Sequence, residues 1–131
     1  MVINDKIIDE LLAKAAESPR LRQNLDLRTS AEDGSQRMLN ALLPGTEVPV
    51  HRHTRSNENV LVLRGALYEV MYDAEGKETQ RYLLDASTGN YGFVVPQGEW
   101  HTVEVISPAV IYEAKDGRYG QDGTEMMDQK T

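Results

Sequence analysis

Cysteine is absent from these 131 residues, and histidine, phenylalanine and tryptophan number only three, one and one. With no thiol, disulfides and thiolate metal sites are both excluded, which fits a reducing compartment. Long hydrophobic runs are lacking as well. The longest purely apolar stretches are about four residues, as at Val60 to Leu63, far short of a bilayer span. No signal-peptide core follows Met1, so the expectation is a cytoplasmic protein with no membrane contact. Positive charge is also scarce: 14 Lys+Arg stand against 21 Asp+Glu, a net charge of −7 and a pI near 4.9. Such a chain repels the phosphates of nucleic acids and anionic membranes, which argues against both as partners. The length suits one domain.

What is present falls into two patterns. Residues 4 to 18 read as a short amphipathic helix, capped by Asn4 or Asp5, with Ile7, Ile8, Leu11, Leu12, Ala15 and Ala16 on one stripe. Ser18-Pro19 ends it, because a residue before proline is pushed out of the helical region. From about residue 36 short extended runs alternate with turn signals such as Pro44-Gly45, Asp73 to Gly76 and Pro96 to Gly98. Eight such runs predict an antiparallel sandwich or small barrel. The organisation expected is a helix and connecting segment over 1–35, a barrel over 36–119 and a polar tail over 120–131, read as an arm or lid. In the run from Asn59 to Arg64, Val60 and Val62 take one face while Leu61 and Leu63 take the other. Both faces therefore look buried.

The chemistry gathers on the scarce histidines. His51 and His53 are two apart in an expected strand, so both imidazoles project from the same face. Glu58 opens the next strand and returns beside them if the two strands are neighbours. His101 follows the turn at Pro96-Gln97-Gly98 and starts another strand. Three imidazoles and a carboxylate at strand ends of one barrel form a nitrogen and oxygen cage for a divalent metal. The residues do not distinguish iron, manganese, nickel and zinc.

Gly45, His51, His53, Glu58 and Gly65, at their spacings, resemble the first motif of the cupin superfamily, and Pro96-Gln97-Gly98-Glu99-Trp100-His101 resembles the core of the second. The second motif departs at Asn90, where glycine is expected, and at Val105, where asparagine is expected. Asn24-Leu25, Gln36-Arg37, Asn40-Ala41, Leu63-Arg64-Gly65, Trp100-His101-Thr102 and the stretch from Glu113 to Tyr119 extend the likeness to the WbuC-type cupin-fold metalloproteins, over roughly residues 20 to 119. That resemblance implies an all-β fold, the cupin antiparallel β-barrel (a double-stranded β-helix or jelly roll), with a short N-terminal α-helix outside. It further implies a metal held by His51, His53, Glu58 and His101, a homodimer, and an association with polysaccharide biosynthesis.

Charge distribution suggests the ligand. Residues 20 to 64 hold seven arginines, no lysine and five acids, for +2, so the remainder carries −9. Arginine's planar fork suits carboxylate and phosphate. Alternation from Glu58 puts Arg64 on the metal side unless a bulge intervenes. Arg37 and Asn40 have opposite parity, so only one of them faces inward, and Tyr119 is a candidate to orient a ligand. For each arginine the competing reading is a solvated surface charge. The functional expectation is a metal-dependent enzyme, an oxygenase, isomerase or hydrolase, acting on a small polar or anionic metabolite, sugar-derived by the family resemblance. The alternatives are a non-catalytic sugar or carboxylate binding module and a cupin with a purely structural metal.

Overall fold

The computed structural model describes residues 1–118 and 120–127. Helix α1 spans Asp5–Glu17. Ten strands follow among the described residues: β1 Arg22–Asp26, β2 Ser35–Leu42, β3 His51–His53, β4 Glu58–Arg64, β5 Ala66–Tyr72, β6 Glu78–Asp85, β7 Gly92–Val95, β8 Trp100–Val105, β9 Ala109–Asp116 and β10 Thr124–Met126. The helix starts where the sequence places a cap: the Asn4 side chain accepts a hydrogen bond from the Ile7 N–H at 3.2 Å. It stops at Ser18, whose extended backbone (φ −80, ψ 135) is the conformation favoured before Pro19.

The strands form two five-stranded antiparallel sheets, ordered β1-β2-β9-β4-β7 and β10-β3-β8-β5-β6. Alternation sends Leu42, Val60, Val62 and Ile111 of the first sheet inward to meet Leu67 and Leu84 of the second. These side chains are almost wholly buried, and each stabilises the fold by about 1.5–3 kcal/mol relative to an exposed position. The eight runs expected from the sequence all appear, with ends displaced by at most three residues. The chain crosses between sheets from β4 to β5 at Gly65, which has φ +76. A Cβ there would lie 2.1 Å from the Pro108 carbonyl oxygen, so only glycine fits.

The outer face of the first sheet is divided. Ile8, Leu11 and Ala15 of α1 cover Leu39, Ala41 and Val110 of β2 and β9. Over β4 the helix no longer reaches: Leu61 and Leu63 are 49% and 41% exposed, beside Val94 of β7. The expectation that both faces of this strand are buried therefore holds for Val60 and Val62 and fails for the two leucines within a single chain.

Two short strands lie outside the expected set. Strand β1 has a single apolar residue, Leu25, and forms because its backbone pairs with β2, Arg22 opposite Leu42. Strand β10 pairs with β3, Thr124 opposite His53 and Met126 opposite His51. The C-terminal segment read as an arm or lid thus adds a strand beside the histidine strand.

Candidate metal centre and adjoining cavity

The apolar core fills one end of the space between the sheets, and polar side chains take the other. His51 and His53 of β3 point inward together, and His51 sits directly opposite His101 of β8. Ring centroids are 4.4 Å apart for His51 and His101, 4.9 Å for His51 and His53, and 5.5 Å for His53 and His101. One ring nitrogen from each lies within 4.8 Å of the others, a spacing that allows the three to hold one metal ion.

Glu58 arrives by a different route from the one expected. Strands β3 and β4 are not neighbours; residues 54–57 carry the chain from one sheet to the other. The carboxylate then reaches across the interior, with Oε2 3.4 Å from His53 Nε2 and Oε1 3.9 Å from His101 Nε2. Hydrogen bonds lock this loop to the turn before His101. Gln97 N–H donates to Asn57 Oδ1 at 2.8 Å, Gln97 Nε2 to the Thr54 carbonyl at 2.7 Å, and Gly98 N–H to the His53 carbonyl at 2.8 Å. Gly98 has φ +82, which explains the glycine in that turn.

Each imidazole is also held from behind. The Nδ1 atoms of His51, His53 and His101 lie 2.8 Å from the Pro49 carbonyl, 2.9 Å from Thr124 Oγ1 and 2.6 Å from Glu69 Oε1. These contacts leave the Nε2 atoms for the centre. Those of His53 and His101 are buried with no hydrogen-bond partner among the described residues. An orphaned buried nitrogen is costly, and a cation between the rings would satisfy both. The donor set of imidazole nitrogens and one carboxylate fits a divalent transition metal.

Electrostatics support the same state. Burial, reinforced for His51 by the neighbouring His101, lowers the pKa of His51 and His101 to about 4, so both are neutral at physiological pH. Burial pushes Glu58 upward, but the adjacent His53 and the Lys115 ammonium outweigh it and hold the carboxyl well below its usual range. Lys115 Nζ lies 3.4 Å from Glu58 Oε2 and 3.6 Å from Asp122 Oδ2. Glu69, fully buried, is driven well above the ordinary range by burial and then by Glu58. Glu113 is pushed up to about 8 by the same two causes.

A cavity of about 390 Å³ opens beside the histidines, with Glu58, Glu69 and Glu113 in its wall. Of the ligand-binding candidates, Asn40 lines it. Arg37 points to the opposite face of β2 and pairs with Asp33. Arg64 does not face the metal side: the register shifts between Val62 and Arg64, and the guanidinium pairs with Asp5 and Asp9 of α1, outside the barrel. Tyr119 lies outside the described residues. Unexpected contributors are Glu69, Thr124 and Lys115. A carboxylate among Leu67, Val70 and Met71 at inward parity was the available signal for Glu69. Nothing local marked Thr124. Of the second-motif departures, Asn90 follows Gly89, which supplies the left-handed turn (φ +89), and Val105 packs on the apolar core.

Two facing antiparallel sheets in this order form the cupin fold, a double-stranded β-helix. The family model described as a domain of unknown function (DUF6016) matches residues 3–84, and the chain belongs to that family. No curated protein matches the sequence. Among solved structures, the chain resembles the capsular polysaccharide assembling protein CapF from Staphylococcus aureus. The TM-score is 0.69 at 19% identity, over 85% of this chain and 33% of that one. It also resembles oxalate oxidase in complex with the substrate analogue glycolate, with TM-score 0.63 at 20% identity over 83% of this chain. It spans only 56% of that enzyme's length. A cupin-2 domain-containing protein from Shewanella frigidimarina matches with TM-score 0.61 at 19% identity, over 88% of this chain and 94% of that one.

Proposed function

We propose that this cupin is a metal-dependent enzyme acting on a small polar, anionic metabolite. His51, His53, Glu58 and His101 would hold one divalent transition metal: iron, manganese, nickel or zinc. The observation that carries the reading is the pair of buried, unpartnered Nε2 atoms of His53 and His101, converging with His51 beside the Glu58 carboxylate. A bound metal would polarise a ligand oxygen as a Lewis acid. The protein's own part is to fix the imidazoles through Pro49, Thr124 and Glu69, to hold Glu58 ionised beside Lys115, and to enclose a ligand in the cavity. That open space next to the histidines favours chemistry over a purely structural metal.

The WbuC-type resemblance, read beside the structural likeness to a capsular polysaccharide assembling protein, supports a sugar-derived ligand. The exposed Leu61, Leu63 and Val94 support a homodimer, and the cysteine-free composition supports a cytoplasmic setting. Metal analysis of protein purified without chelator tests the centre. About one ion per chain is expected, and His101→Ala should lose it. Undiminished metal in that variant, or none in the parent, overturns the ligand set. A turnover screen with sugar acids and small hydroxy acids then separates an enzyme from a binding module.

A further inference from the structure

We propose that the mouth of the cavity is an anion site, in which Arg22, backed by Arg20, holds a carboxylate or phosphate group of a hydroxylated ligand whose other end reaches the histidines. The proposal rests on the small-molecule reading above and places the ligand's charge at the end remote from the metal.

The arginine-rich stretch divides cleanly. Arg28, Arg37, Arg52 and Arg64 are each paired with a carboxylate: Asp26, Asp33, Glu125, and Asp5 with Asp9. Arg20, Arg22 and Arg55 have no carboxylate partner among the described residues, and of these three Arg20 and Arg22 line the cavity with His51 and His101. Arg22 stands opposite Leu42, a member of the interior core, so its position on β1 is an inward one. Its Nη1 donates to the Glu47 carbonyl at 3.3 Å, which steadies the guanidinium from one side. The rest of the fork has no acceptor among the described residues. Burial, and then the like charge of Arg20, draw Arg22 below its ordinary pKa. Two uncompensated cations at one mouth are relieved by an anion held between them.

The remainder of the cavity argues for the same orientation. Its inner wall carries the ionised Glu58, which repels an acidic group, beside the protonated carboxyls of Glu69 and Glu113, which offer it no positive charge, whereas a hydroxyl or carbonyl oxygen suits the histidine end. Between the two ends stand Asn24 and Asn40, which face each other across β1 and β2, and their amides suit hydroxyl groups. A compact sugar acid or sugar phosphate matches this sequence of cation, amides and metal.

The test is calorimetric titration of the protein as purified with glucuronate, glucose 6-phosphate and glucose. At least one anion should bind about tenfold or more tightly than glucose, and more weakly as salt is raised. The stronger arm identifies carboxylate or phosphate. Arg22→Gln should weaken that anion about tenfold with metal content unchanged, and Arg20→Gln by a smaller factor. Arg22→Lys should fall between the parent and Arg22→Gln, which separates lost charge from lost fold. Binding of neither anion, glucose binding equally well, or unchanged affinity in a folded Arg22→Gln protein overturns the proposal. Anion binding that survives while the protein proves metal-free leaves the mouth site standing and removes only the metal reading.

Discussion

His101 and Glu69 meet at 2.6 Å on the neighbouring strands β8 and β5, Nδ1 against Oε1, in the fully buried interior. With Nε2 turned to the centre, this contact fixes the ring's orientation and raises its basicity toward a metal. It also explains a buried carboxylate that is otherwise expensive. Glu69→Gln keeps the shape and an acceptor oxygen but replaces the carboxyl by an amide, which cannot ionise to support the ring. It should weaken metal binding about tenfold, and Glu69→Ala more, within the 10–100-fold range of such supporting contacts. Competition against a chelating dye measures this, and wild-type affinity in both variants would sever Glu69 from the centre.

Thr124 makes the corresponding contact to His53, at 2.9 Å from Nδ1, from a strand of only three residues. Thr124→Val retains β-branching and removes the hydroxyl. The expected result is weaker metal binding with a near-unchanged melting temperature for the metal-free protein. Equal affinity would mean that the β10 backbone, and not this side chain, supports the ring.

Arg64→Ala tests the displaced arginine. Its guanidinium pairs with Asp5 and Asp9 on the outside of the barrel, so metal content and ligand affinity should both be unchanged. Only a small drop in thermal stability is expected, since exposed ion pairs contribute little. Loss of ligand binding would restore Arg64 to the site.

Glu113 gives a pH dependence with a definite sign. Burial, then Glu58, raises its pKa to about 8 in the folded chain, above the unfolded carboxyl value. The stabilisation this represents is full below the unfolded pKa and is lost as pH rises through the folded value. Metal-free wild type should therefore lose stability relative to Glu113→Gln between about pH 5 and about pH 9, by up to about 4 kcal/mol. Urea unfolding of the two proteins at both pH values reads the difference directly; a constant difference contradicts the buried, protonated state.

The helix contributes through packing. Leu11 is 5% exposed between α1 and the first sheet, so Leu11→Ala should cost about 2–5 kcal/mol. Denaturant unfolding measures it. A loss below about 1 kcal/mol would show that the helix docks only loosely on the sheet.

Much of the fold was legible in the chain. Turn signals and alternating apolar residues locate eight strands because turn chemistry and burial on one face are local properties. The histidines were legible for a related reason: strand alternation puts His51 and His53 on one face whatever the partner strand. Strand β1 was not legible, since Arg22–Asp26 carries one apolar residue and owes its conformation to backbone pairing with β2. Arg64 misled because a single register shift after Val62 defeats a parity count.

By itself, then, the sequence determined the all-β pattern, the capped helix, the inward pairing of His51 with His53, and a charge surplus confined to one stretch. Only the tertiary structure decided that Glu58 crosses from the opposite sheet and that Glu69 and Thr124 hold the rings. It likewise decided that Arg22 and Arg20, and not Arg64, face the cavity. The contacts that hold the rings join residues 71 positions apart, His53 with Thr124, and 32 apart, His101 with Glu69, and they follow from the order and register of strands. Local propensity carries no record of that order, because backbone hydrogen bonds between strands are the same for every pairing and only the assembled core selects among them.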